Sequence, residues 1–219
     1  MKLQLNGNCL KIIAMISMFI DHLGFFIFPD IIILRIVGRI SFPIYAYLIS
    51  EGFKYTKHRT IFFLRTFILG LICSIAYIIA THEAFLCILL TFSVSMLIIY
   101  LIDYVKKSPT NRFPLLIIVL IITFYICNVI EFDYGFFGIL VPVITYLSDN
   151  KLFKISLFGI SLLILTFNLE SILELYSLIS IPIVAIYDET KGKLNLKLIS
   201  YLFYPVHFLV IYAIKIVLF

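Results

Sequence analysis

Charge is what this sequence has least of. Only 13% of its 219 residues are Asp, Glu, Lys or Arg, about half the share of a soluble domain. No water-facing surface can be built from so few, and the bilayer is expected to be the solvent for most of the chain. Also missing are GxGxxG, the P-loop, HExxH and GxSxG, the signatures of several large classes of soluble enzyme. The four cysteines (Cys9, Cys73, Cys87, Cys127) show no CxxC spacing and fall in or beside apolar runs. They read as buried free thiols, not as a disulfide or a metal site. No two histidines share helical spacing, so no metal is expected. There is no convincing internal repeat and no linker. The net charge of +5 points to no nucleic-acid partner, because the basic residues sit in loops flanking the apolar runs.

Apolar and aromatic residues make up 63% of the chain, and the mean hydropathy is +1.15. A spanning helix needs about 20 mainly apolar residues. The runs predict about nine spans, at 10–29, 31–53, 61–80, 85–104, 113–131, 134–147, 152–169, 172–187 and 197–218. The expected fold is all-α, a polytopic transmembrane helical bundle forming a single domain over 1–219. The first run has no small-residue cleavage site and contains Asp21 and His22, so it reads as a permanent helix and not a removed signal peptide.

Orientation follows from the positive-inside rule. With the N-terminus inside, the cytoplasmic segments carry Lys2, Lys11, Lys54, Lys57, Arg59, Arg65, Lys106, Lys107, Arg112, Lys151, Lys154, Lys191, Lys193 and Lys197, fourteen of the 17 basic residues. The outer loops carry Asp30, Glu83, Glu131, Asp133 and Glu170 instead. An odd span count then places the C-terminus outside. Pro43, Pro142, Pro182 and Pro205 fall within spans. There each removes a backbone donor and is tolerated where neighbours or a cavity satisfy the freed carbonyl.

Ionisable residues at membrane depth usually face a protein interior. Asp21, His22, Arg35, Arg39 and His207 form such a set, with Glu51 near a cytoplasmic end. At about 1.5 Å per residue, His22 lies about 10 Å below the outer end of its span and Arg39 about 12 Å below the start of the next. A very short turn joins these two antiparallel spans, so Asp21, His22 and Arg39 sit at one level. Asp21 and His22 are adjacent and point about 100° apart, so Asp21 pairs more naturally with Arg35 or Arg39 than with His22. For these residues both a structural and a catalytic role are open. Tyr204 and His207, three apart, share a face of the last span.

Together, several segments resemble the TraX family of membrane proteins, named after a conjugation protein that N-acetylates pilin. They are LNGNCLKIIAMISMFIDHLGFFIFP at 5–29, LRIVGRISFPIYAYLISEGFKYTKHR at 34–59, DYGFFGIL at 133–140, SLISIPIVAIYDETKGK from 177 and YLFYPVHFLVIYAI ending at 214. The likeness is strongest in the N-terminal quarter; over 60–132 it is mainly one of hydrophobic layout. It implies kinship with transmembrane acyltransferases, which take an acetyl group from cytosolic acetyl-CoA and use a histidine in the membrane core. The matching positions are Asp21, His22, Arg39, Glu51, Tyr204 and His207. The loops here are short, and no separate CoA-binding domain is visible.

On that resemblance the expected activity is an acetyl-CoA-dependent acyltransferase of a bacterial plasma membrane, acting on a peptide amine or a glycan hydroxyl. His22 is its base, Arg39 stabilises the oxyanion, Asp21 tunes the site and His207 is a second acid or base. Arg35, Glu51 and Tyr204 contact substrate. Lys54, Lys57 and Arg59, with Lys106, Lys107 and Arg112, meet the CoA phosphates. The competing readings are a proton-coupled small-molecule transporter and a non-catalytic subunit of a secretion or surface-polymer complex. Membrane lipid is the expected partner.

Overall fold

A computed structural model describes residues 4–82, 85–107 and 112–218. Lys2 and Glu83, used above to orient the chain, lie outside these residues, as does the side chain of Lys197. The protein is an all-α helical membrane bundle. Its helices are α1 (Gly7–Phe26), α2 (Ile32–Gly38), α3 (Ser41–Tyr55), α4 (Arg59–Thr81), α5 (Ile88–Lys107), α6 (Phe113–Val129), α7 (Gly135–Tyr146), α8 (Lys151–Leu169), α9 (Ser180–Ala185) and α10 (Lys197–Leu218). A 3₁₀ helix, Ile172–Ile179, leads into α9. Helices dominate because each satisfies its own backbone hydrogen bonds without water.

Among the described residues, six helices are long and apolar enough to cross a membrane, with α2 and α3 counted as one. Three of the expected spans are shorter helices: Phe113–Val129, Gly135–Tyr146 and Ile172–Ala185. The 12 residues of α7 rise about 18 Å, well short of a hydrocarbon core of about 30 Å. The α6 helix has no buried residue along its length. It rests on the core of its unit only through partly buried residues such as Leu116, Leu120 and Cys127, and a helix apolar on every side with most of its surface uncovered is one that lipid can solvate.

Prolines explain two breaks. Pro43 has no N–H to give the carbonyl of Arg39, and the helix is interrupted at Arg39 and Ile40 between α2 and α3. Pro182 likewise leaves the carbonyl of Leu178 without its helical donor, and there the 3₁₀ turn gives way to α9. Eight residues of 3₁₀ helix is a long run for that geometry.

The packing divides the chain into two compact units, Met1–Leu48 with Leu169–Phe219, and Ile49–Asn168. In the first, α1 packs on α2 and α10. Asn6 caps α1 by accepting from the amides of Asn8 and Cys9. The chain ahead of α1 pairs with the loop after α9 through Leu5 and Tyr187. The Ser41 hydroxyl, at the start of α3, donates to the carbonyl of Ala14 on α1 at 2.9 Å.

In the second unit, Phe53, Met96, Ile99, Ile139 and Val143 form a buried core. The Ser95 hydroxyl bonds the carbonyl of Ile139 at 2.8 Å, joining α5 to α7. Phe85–Leu86 and Glu131–Phe132 pair as two short parallel strands. Polar side chains gather at the ends of α3, α4, α5, α7 and α8. Lys154 is 1% exposed and Glu51 4%, and Lys154 Nζ bonds Glu51 Oε1 at 2.6 Å. Removing one member of a buried pair strands the other charge, whereas apolar replacement of both is often neutral or stabilising. Lys154→Met is therefore expected to lower stability by about 3–5 kcal/mol, and Glu51→Leu/Lys154→Met to recover it. Thermal unfolding in detergent reads both; a double variant as unstable as the single one rules out the pair as the cause.

Candidate functional site

The first unit concentrates the intramembrane ionisable residues. Asp21 on α1 is buried and accepts from two arginines. Arg35 Nη1 reaches Asp21 Oδ2 at 2.8 Å. Arg39 Nη2 lies 2.7 Å from Oδ1 and 2.8 Å from Oδ2. Arg39 Nη1 then reaches Glu174 Oε1, on the 3₁₀ helix, at 2.5 Å. Two guanidinium groups thus meet two carboxylates, and the cluster carries no formal net charge. Such matching, with the hydrogen bonds made, is what makes buried ions tolerable. It ties together α1, α2, the α2–α3 break and the 3₁₀ segment.

A glycine makes the cluster possible. Gly38 lies so close to Asp21 that a Cβ on it would overlap the Asp21 Cβ, Cγ and Oδ1. The guanidinium of Arg35 also packs over the ring of Phe25, 4.9 Å from its centroid.

His22 is one residue beyond Asp21 and faces a different partner. Its Nδ1 is 2.7 Å from His207 Nε2 on α10, and His207 Nδ1 is 2.9 Å from the carbonyl oxygen of Phe203. A carbonyl only accepts, so Nδ1 of His207 carries a proton. In the neutral ring Nε2 is then an acceptor, and His22 Nδ1 must donate to it. The proton of neutral His22 is thereby placed on Nδ1, and its Nε2 is left as a lone pair. The two rings lie 4.9 Å apart and nearly parallel, at 16°. Phe208, at 4.7 Å, and Phe26, at 6.0 Å, border His22, and Tyr204 packs edge-on against His207 at 5.6 Å. His207 is 2% exposed, whereas His22 is only partly covered. A buried ring that orients and a partly covered ring that carries a basic nitrogen follow the logic of a general base held by a second group.

The structure therefore brings together Asp21, His22, Arg35, Arg39, Tyr204 and His207 within one compact unit. Glu51, Lys54, Lys57 and Arg59 belong to the other. Glu51 bonds Lys154, and Lys54 bonds Asp149. Asp149 lies in the loop after α7, where its hydrogen bond to the Lys54 ammonium holds the carboxyl below the usual carboxylate range. Arg59 bonds Asp103 at 2.5 Å and Tyr146 at 3.2 Å, and it covers the ring of Phe53. Lys57 is exposed. Two buried ionisable residues of these networks, Glu174 and Lys154, escape the sequence reading. Glu174 is a single carboxylate inside the apolar run ILELYSLI, and that isolation at membrane depth is its only signal. Lys154, counted with a cytoplasmic loop, is buried.

The close approach at Gly38 has a measurable consequence. Gly38→Ala is expected to force Asp21 away from both arginines. The variant should lose thermal stability by several degrees, as expected when buried charges lose partners. An unchanged melting curve in detergent contradicts that packing.

An uncharacterised protein of Rickettsia prowazekii (strain Madrid E) is 31% identical over 149 residues, 66% of this chain and 56% of that protein. The chain thus spans little more than half the length of that relative. No solved structure matches. The family described as TraX protein matches residues 6–215, nearly the whole length and every residue of the His22 and Asp21 networks. The chain belongs to the TraX family of membrane proteins.

Proposed function

We propose that this protein is an acetyl-CoA-dependent acetyltransferase of a bacterial plasma membrane, oriented with its N-terminus in the cytosol. It moves an acetyl group to an amine or hydroxyl acceptor, a peptide N-terminus or a surface glycan. The observation that carries the reading is the hydrogen-bond chain from His22 through His207 to the Phe203 carbonyl. That chain leaves one basic nitrogen, Nε2 of His22, on a partly covered ring. Membership of the TraX family supports the same reaction class.

His22 Nε2 takes the proton of the acceptor N–H or O–H as that atom attacks the thioester carbonyl. The C–S bond breaks, the new C–N or C–O bond forms, and the proton passes to the departing CoA thiolate. As His22 becomes an imidazolium, its Nδ1–H bond to His207 becomes charge-assisted and stronger. His207 thus acts as a positioning residue for the base. Tyr204 packs edge-on against the His207 ring. The bonds from Arg39 to Asp21 and Glu174 favour a positioning role for its guanidinium over direct contact with the oxyanion. Asp21 and Arg35 hold the same level of the bundle together.

The test is transfer of labelled acetyl from acetyl-CoA by purified protein in liposomes. His22→Ala is expected to lower turnover by about 10²–10⁴-fold, the range of a general base, with expression unchanged. His207→Phe should lower kcat with little change in KM for acetyl-CoA. Arg39→Lys cannot reach two carboxylates with a planar fork and should lose both stability and activity. Normal turnover by His22→Ala refutes the assignment. Solute uptake without acetyl transfer would favour the proton-coupled transporter. Inertness of the chain alone, with activity only in a larger assembly that also works with His22→Ala, would favour the non-catalytic subunit.

A further inference from the structure

We infer that Phe208 is a positioning residue of the histidine pair, its ring face stabilising the positive charge that forms there as His22 takes a proton. This rests on the acetyltransferase reading and adds a residue that the resemblance does not name.

The need is electrostatic. When the base becomes an imidazolium, a cation appears at membrane depth, where an unpaired charge is costly. Asp21, next to His22 in the chain, accepts from Arg35 and Arg39, and Glu174 accepts from Arg39. Among the described residues no carboxylate pairs with either histidine. His207 offers His22 a neutral lone pair, and the Phe203 carbonyl is engaged by His207. The faces of the pair meet aromatic rings instead.

Phe208 is placed to serve both imidazoles. The ring centroids of His22 and His207 are 4.9 Å apart, and that of Phe208 lies 4.7 Å from the first and 4.3 Å from the second. The three form a triangle of nearly equal sides, so Phe208 stands over the junction of the two imidazoles, where the shared hydrogen bond runs. Its plane is tilted by 32° to His22 and by 41° to His207. Rings this close and this near to parallel, with no hydrogen bond between them, overlap by their faces, because side by side their edges would collide. The face of a benzene ring is its negative side, and a cation within about 6 Å of the centroid is attracted to it, more strongly where water is excluded. The attraction reaches the charge wherever the proton lies along the shared bond.

Sequence and packing fix the ring. Tyr204 is four residues before Phe208 on α10, one turn away on the same face, and meets it at 69° and 5.8 Å. Phe26, four residues after His22 on α1, meets it at 73° and 6.1 Å. Such edge-to-face contacts, which ring quadrupoles favour, hold Phe208 from both helices. The benefit is differential. Neutral imidazoles gain only ordinary stacking, whereas the imidazolium gains the attraction of the ring face as well, and only that difference lowers the barrier.

The test replaces Phe208 in the full chain with phenylalanines carrying one, two and three ring fluorines, which drain negative charge from the face in steps at almost constant volume. Each variant is melted in detergent and assayed in liposomes for transfer of labelled acetyl from acetyl-CoA. Melting temperatures should stay together and KM for acetyl-CoA should change little, while kcat falls with each fluorine, by about tenfold at the third. Equal kcat across the series, or a fall that follows a loss of melting temperature, overturns the role of Phe208 and leaves the acetyltransferase reading standing. A wild-type chain that does not turn over acetyl-CoA overturns both.

Discussion

Charge neutrality inside a medium without water is the constraint on which this structure depends. Asp21 and Glu174 against Arg35 and Arg39 sum to zero, as do Glu51 and Lys154. The attraction between paired ions is strong at low dielectric, but it offsets desolvation only when geometry is good and hydrogen bonds are complete. The Asp21 carboxylate meets that condition, each of its oxygens being contacted by a guanidinium. Its geometry in turn needs Gly38 beside Asp21 and the helix break at Arg39 imposed ahead of Pro43.

The fixed cluster has a consequence for its neighbour. Because α1 is held through Asp21, the next residue, about 100° around the helix, is held too, and it faces α10. On α10, which runs unbroken through Pro205, His207 lies within hydrogen-bond distance of His22. One network thus serves stability and the other chemistry, from consecutive residues. The aromatic rings of Phe26 and Phe208 border the dyad and limit water around the basic nitrogen, the setting in which fixed dipoles act most strongly.

Much of this was legible in the chain because it is local. The IDH and GRI segments flank a short turn, so their depths could be matched by counting residues, and Asp21 does meet Arg39. Helical spans follow from apolar run length alone. What resisted reading is long-range or depends on detail. The approach of α10 to α1 is set by packing between residues 185 apart. Glu174 gives no periodic signal, and a lone acid in an apolar run can equally mark a loop. Lys154 looks like any loop cation until Glu51 is seen opposite it. Run length also hides helix type: Ile172–Ile179 is 3₁₀, and α7 is too short to cross alone, because residues that are apolar enough to span are also apolar enough to pack.

The central claim is the placement of protons on the histidine pair. Nitrogen-15 NMR of histidine-labelled protein in bilayers reads it directly, with His58 and His82 replaced so that two of the four histidines remain. The account predicts both His22 and His207 in the Nδ1–H form at neutral pH, with an unprotonated Nε2 on each and a coupling across the His22 Nδ1 to His207 Nε2 bond. A proton on Nε2 of His22, or two rings titrating independently with no shared bond, would contradict it.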